Sequence, residues 1–136
     1  MADVVYVALG SNLGDRHAAL AAARDAIAAT PGCELLAVTA VEETAPLGPA
    51  DQPPYLNQMA RVRTTLSPTA LLDRLQEIER AAGRVRAERW GPRTLDLDVV
   101  LIEGRSVRTD RLTVPHPELA RRDFWQRELA ELGGSP

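Results

Sequence analysis

Apolar residues recur along this chain with two different periods, and the changes of period mark its elements. Val4 to Leu9 is a short apolar run ended by Gly10, Ser11 and Asn12, the pattern of a buried strand that stops in a turn. Leu13, Leu20, Ala23 and Ile27 then recur at helical spacing through an alanine-rich stretch, with Asn12 or Asp15 as cap and Pro31-Gly32 as breaker. Glu34 to Glu43 and Tyr55 to Thr65, rich in Val, Leu and Thr, predict two extended segments, and the proline-rich stretch from Ala45 to Pro54 predicts a long, stiffened loop between them. Ser67 followed by Pro68 starts a second helix, in which Leu71, Leu75, Ile78 and Ala82 fall on one stripe before Gly83 supplies a stop. Leu95 to Ile102 predicts a fourth strand, Glu103-Gly104 a turn, Val107 to Thr109 a short returning hairpin arm, and the tail from Pro117 a helix.

The order strand, helix, strand, strand, helix, strand is two split β-α-β units. It predicts a ferredoxin-like α+β sandwich, β-α-β-β-α-β, with helices on one sheet face, an added short hairpin and a C-terminal helix. A chain of 136 residues is expected to form a single domain over 1–136. Fold alone leaves function open.

Charge and composition narrow the classes. The formal net charge of −3 provides no basic footprint for nucleic acid. Cys33 is the only cysteine, so neither an intrachain disulfide nor a cysteine zinc cluster is available, and a reducing cytoplasm is the expected location. Asp3 stands where a signal peptide needs basic residues, and the apolar run after it is too short for export or membrane spanning, so no membrane role is expected.

The candidate chemistry centres on Asp96 and Asp98. Side chains two apart on a strand point the same way, so these carboxylates converge while Leu95, Leu97 and Val99 point to the other face. A hard cation such as magnesium takes carboxylate and phosphate oxygens together, which a pair of solvated edge charges would not require. Just upstream, Arg84, Arg86, Arg89 and Arg93 lie in a Gly- and Pro-punctuated segment, where guanidinium forks are suited to phosphate oxygens. Carboxylates for metal beside arginines for phosphate are the requirements of phosphoryl transfer. Gly10 to Gly14 has the look of a phosphate cradle, but the chain has no lysine for a Walker motif, and turn and cap chemistry is the expectation there. Tyr55 and Asn57, two apart on a strand, would set a stacking ring beside an amide, an arrangement that fits a planar polar heterocycle.

RWGPRTLDLD at 89–98 strongly resembles the signature of the 6-hydroxymethyl-7,8-dihydropterin pyrophosphokinase family. VALGSNLGDR at 7–16, TAPLGPADQPPYLN at 44–57, GRVR at 83–86 and LTVPHPEL at 112–119 follow in the family's order and spacing, so the resemblance covers nearly the whole chain. It implies a kinase that passes pyrophosphate from ATP to 6-hydroxymethyl-7,8-dihydropterin in folate biosynthesis, releasing AMP. It further implies two Mg2+ ions held with ATP by Asp96 and Asp98, and phosphate contacts from Arg84, Arg93, His116 and Arg122. Gln76, Glu79, Arg111 and Thr113 carry over as ATP-site positions, and Trp90 as a residue that travels with the arginine loop and helps close the site. The pterin would stack on Tyr55 and Phe124, with Thr44, Leu47 and Asn57 reading its polar edge. DFWQRELAEL at 123–132 departs from the family's more apolar, Pro-Leu-containing continuation, which bears on the packing behind the pterin ring. A monomer is expected. The rivals are a non-catalytic ferredoxin-like binding module, which would lack magnesium-dependent ATP binding, and a nucleotidyltransferase, which would release pyrophosphate instead of AMP.

Overall fold

The computed structural model describes residues 2–45, 54–82 and 95–134. Strand β1 (Asp3–Ser11) leads into helix α1 (Arg16–Ala28), β2 (Cys33–Val38), β3 (Glu42–Thr44), β4 (Tyr55–Thr64), α2 (Pro68–Ala81), β5 (Asp96–Ile102), β6 (Val107–Arg108), β7 (Thr113–Val114) and α3 (Asp123–Glu131). The main sheet is antiparallel in the order β2-β4-β1-β5, with β3 also pairing to β4. That order, with α1 and α2 as crossovers, is the expected ferredoxin-like arrangement.

Local chemistry accounts for both crossover helices. Asp15 caps α1, its Oδ1 accepting from the Ala18 amide at 3.0 Å, and Ser67 caps α2 by accepting from Ala70 at 3.1 Å, with Pro68 in the first turn. Leu13, expected in the helical stripe, precedes α1 and is 46% exposed. Gly10 and Ser11, expected in a turn, belong to β1; the turn begins beyond them, where Gly14 adopts φ +73°.

The span Glu34 to Glu43, expected as one extended segment, is divided. Around Thr39 the edge of β4 is bound through side chains: the Met59 amide donates to Thr39 Oγ1 at 3.0 Å, and Gln58 Nε2 donates to the Thr39 carbonyl at 2.6 Å. The expected return arm also differs: its pairing with β5 is limited to one antiparallel bridge, Ile102 to Arg105, and β6 pairs with β7 in a sheet of its own. In the tail the regular helix starts only at Asp123.

The sheet is covered on both faces. Val5, Val7 and Leu9 of β1 pack with Leu20, Ala23 and Ile27 of α1 and with Leu71, Leu75 and Ile78 of α2. On the opposite face Tyr6, Ala8, Met59, Val100 and Leu101 pack against Trp125 and Leu129 of α3. The C-terminal helix therefore makes the sandwich three-layered, instead of leaving its helices on one face. Strand β5 serves both cores through a bulge. Tyr6 pairs with Leu101 and Val7 with Val99, so Val100 has no partner, and the alternation changes phase there.

Candidate active site

On β5 the side chains alternate as the sequence demands. Leu95, Leu97 and Val99 are buried in the α1/α2 core, while Asp96 and Asp98 are partly exposed on the α3 face. Opposite them on β1 stand two small residues, Gly10 facing Asp96 and Ala8 facing Asp98, and beyond these on β4 stand Asn57 and Met59. Asn57, Gly10 and Asp96 thus form a row across three strands, its ends about 10 Å apart at ordinary strand spacing. The centre of that row has no side chain, and a Cβ built on Gly10 would lie 3.3 Å from Asn57 Oδ1 and 3.5 Å from the Tyr55 ring. Tyr55 and Asn57 therefore do share this face, and Asn57 Nδ2 donates to Thr44 Oγ1 on β3.

The bulge in β5 helps seat the next residue. The carbonyl of Val100 accepts from the His116 amide at 2.9 Å, and His116 Nε2 lies 3.9 Å from Asp98 Oδ1. His116 Nδ1 accepts from the Glu118 amide at 3.0 Å, so the neutral ring carries its proton on Nε2, toward Asp98. Burial, followed by the Arg122 guanidinium, pushes the imidazole pKa down against an opposing pull from Glu118. His116 next to Asp98 is accordingly a neutral donor at pH 7 and not the cation of an ion pair. Trp125 underlies the group: its ring meets His116 edge-on at 4.9 Å, and the Arg122 guanidinium lies 4.4 Å over it. Phe124 packs against the same core, 6.1 Å from Trp125 between centroids. Trp125, 2% exposed, was not among the expected site residues, although adjacency to Phe124 in an aromatic-poor chain was its signal.

A second cluster lies on α2 and near β7. Arg111 Nη2 donates to Asp73 Oδ1 at 2.7 Å and to Gln76 Oε1 at 3.3 Å, two residues before Thr113 in β7. Glu79 is a different case. It is 5% exposed, and its Oε2 accepts from the Leu97 amide at 2.8 Å, the peptide N–H between the two aspartates. Since β5 ends the sheet order among the described residues, this carboxylate caps the outer edge of the strand that presents the acid pair. Leu47, Arg84, Arg86, Arg89, Trp90 and Arg93 lie outside the described residues.

Asp96 and Asp98 suit a hard divalent cation in residue type and direction. Among the described residues no group of three or more His, Cys, Asp and Glu could hold a metal ion. A cation on this pair would take its other ligands from phosphate and water, as magnesium commonly does.

Known proteins share this sequence over most of its length. The chain is 46% identical over 119 residues to the 2-amino-4-hydroxy-6-hydroxymethyldihydropteridine pyrophosphokinase of Haemophilus influenzae, covering 88% of this chain and 74% of that protein. It is 48% identical over 128 residues to the same-named protein of Pseudomonas aeruginosa, covering 94% and 79%. With that of Bacillus subtilis it shares 40% identity over 132 residues, covering 97% and 79%. Residues 6–134 match the model of the 7,8-dihydro-6-hydroxymethylpterin-pyrophosphokinase family, and the chain belongs to that family.

Proposed function

We propose that this chain transfers the β,γ-pyrophosphoryl group of ATP to the hydroxymethyl oxygen of 6-hydroxymethyl-7,8-dihydropterin, giving AMP and the pterin diphosphate in tetrahydrofolate biosynthesis. The observation that carries this reading is the open row from Asn57 across Gly10 to Asp96. It sets groups suited to a heterocycle and a carboxylate pair suited to a metal at the two ends of one row on the sheet face.

The pterin stacks between Tyr55 and Phe124, and Thr44, Leu47 and Asn57 read its polar edge. Its hydroxymethyl group is then directed along the row toward Asp96 and Asp98, which hold two Mg2+ ions that neutralise and orient the phosphates when bound. Arg84, Arg93, Arg122 and the Nε2–H of His116 contact the phosphates, with Trp90 closing over them. The adenosine lies along Gln76, Arg111 and Thr113. The hydroxymethyl oxygen attacks the β-phosphorus in line, a new O–P bond forms, the bridge to the α-phosphate breaks with its oxygen leaving on AMP, and the alcohol proton passes to solvent water. Holding the two reactants in this alignment supplies much of the acceleration without a covalent enzyme intermediate.

Glu79 acts on this site by fixing the aspartate strand through the Leu97 amide, in contrast to the direct ATP contact that the resemblance implies. The enzyme works as a monomer in the cytoplasm, and no helix of the described residues is long and apolar enough to cross a membrane.

The test is AMP formation from ATP, Mg2+ and the hydroxymethyl pterin, with Asp96→Ala run beside the parent. Pterin-dependent AMP that is lost in the variant is expected. Release of inorganic pyrophosphate instead would indicate nucleotidyl transfer, and a folded parent that binds MgATP but forms no AMP would refute the reading.

A further inference from the structure

Glu128 stands on α3 one turn after Phe124, so the two side chains share a helix face. It is 3% exposed, and among the described residues no donor reaches either of its carboxyl oxygens. What it meets is a second carboxyl, that of Glu42 on β3. Arg127 Nη2 donates to Glu42 Oε1 and Oε2 at 3.3 and 3.4 Å, so the neighbouring guanidinium on α3 sits on the Glu42 carboxyl and leaves that of Glu128 without a donor among the described residues. Two carboxyls this close repel when both are charged, so the proton belongs on the buried one, Glu128, which donates it to Glu42, itself 33% exposed at the side chain. Burial first, and then the charge and hydrogen bond of Glu42, push the Glu128 pKa up to about 8, with Glu131 raising it further and Arg127 opposing.

The place of this pair gives it a function. Glu42 is the cross-strand partner of Asn57 and lies two residues before Thr44, the acceptor of the Asn57 amide. The pair therefore fastens the helix that carries Phe124 to the strand that carries Thr44. We propose that Glu128 and Glu42 are positioning residues that, by sharing one proton, hold α3 against β3 and set the spacing between the two walls of the pterin site. The inference rests on the pterin reading given above.

Other charged groups near the pair do not replace it. Glu131 Oε2 is occupied by the Ala40 amide at 3.0 Å. Arg61 and Tyr6, on the same sheet face, belong to a group around Glu103: Arg61 Nη2 lies 3.7 Å from Glu103, and the Tyr6 hydroxyl pKa is pushed up by burial and then by Glu103. Asp96, Asp98 and His116 are at or beyond the β5 edge, two strands from Asn57. Loss of the shared proton sets two negative charges face to face, and α3 moves off β3. The Gln76–Arg111 cluster, which this contact does not touch, keeps its geometry.

The test is the KM for pterin and the KM for ATP, measured from pH 6.5 to 9 in the parent, Glu128→Gln and Glu42→Gln. With a pKa of about 8, about one-tenth of molecules hold the proton at pH 9, so the parent's KM for pterin is expected to rise about tenfold while that for ATP stays flat. Glu128→Gln, whose amide can donate to Glu42 at every pH, is expected to flatten the pterin profile and keep the parent's low-pH KM. A Glu128→Gln profile matching the parent, or equal movement of both KM values, would overturn the proposal while leaving the pterin reading intact. Absence of pterin binding at pH 6.5 by fluorescence titration would refute the pterin reading and this proposal with it.

Discussion

Replacing Gly10 by alanine places one methyl group at the centre of the row between Asn57 and Asp96. The new Cβ would lie 3.3 Å from Asn57 Oδ1 and 3.5 and 3.8 Å from two Tyr55 ring carbons. The first contact is tight by a few tenths of an ångström, and Asn57 cannot easily yield, being 7% exposed and bonded to Thr44. Loosening that hydrogen bond costs about 0.5–1.5 kcal/mol, while alanine in a strand regains about 0.5–1 kcal/mol of the backbone entropy that glycine loses. The two nearly cancel, so the urea midpoint should move by no more than about 1 kcal/mol in stability. Binding is affected differently, because displacing Asn57 would remove the one or two hydrogen bonds proposed for it to the pterin edge. At about 1–3 kcal/mol for a buried polar group left unmatched, the KM for pterin should rise by about 5- to 150-fold. The KM for ATP should change by less than about twofold, since its proposed contacts lie beyond this methyl group. Steady-state AMP formation with each substrate varied, together with urea unfolding, measures all three quantities. An unchanged KM for pterin in a folded Gly10→Ala protein would show that the ring does not occupy this row, and an equal rise in both KM values would show that the methyl disturbs β5 as a whole.

Glu79→Leu leaves the Leu97 amide without its carboxylate and should cost about 1–3 kcal/mol by urea unfolding, with a higher Mg2+ concentration needed for half-maximal activity. Glu79→Gln, which can still accept from that amide, should recover most of both effects. Trp125→Ala removes a ring buried beneath His116 and Arg122 and should cost about 3–5 kcal/mol, read as the loss in thermal or urea stability. Glu128→Gln should flatten the pH dependence of stability. A carboxyl whose folded pKa of about 8 exceeds its unfolded value of 4.5 stabilises the fold fully below the lower value and loses that contribution as pH rises to the upper one. Water that reaches the pair through the partly exposed Glu42 reduces the effect, so the parent should lose about 1–2 kcal/mol more than the variant between pH 6 and 8.

Much of this fold could be read from residue spacing because short-range chemistry fixes it. Ser67 and Pro68 start α2 where a hydroxyl cap and a ring without an N–H belong, and the Asp-Leu-Asp alternation in β5 sends its acids and its leucines to opposite faces. The division of β2 from β3 was hidden because it depends on Gln58 and Met59 of another strand bonding to Thr39. Glu79 gave a local signal, lying four residues after Leu75 in the apolar stripe of α2, but the amide that it accepts from is on β5. The coverage of the second sheet face was the least legible part. Trp125 and Leu129 recur four apart in a tail with little other apolar periodicity, and the Glu42–Glu128 pair joins residues from two elements whose sequences say nothing of each other.

The cap on β5 also bears on how the molecule behaves at high concentration. DLDVVLI is short, β-branched and largely apolar, and it ends its sheet, which makes it a template on which another chain could add a strand. Glu79 occupies the Leu97 amide on that margin, and the His116 amide occupies the Val100 carbonyl. Two residues proposed to serve the catalytic site thereby shield the stickiest margin of the sheet from self-association. Selection for turnover and selection against aggregation act here on one side chain, that of Glu79, so Glu79→Leu should lower the protein's solubility limit as well as its activity.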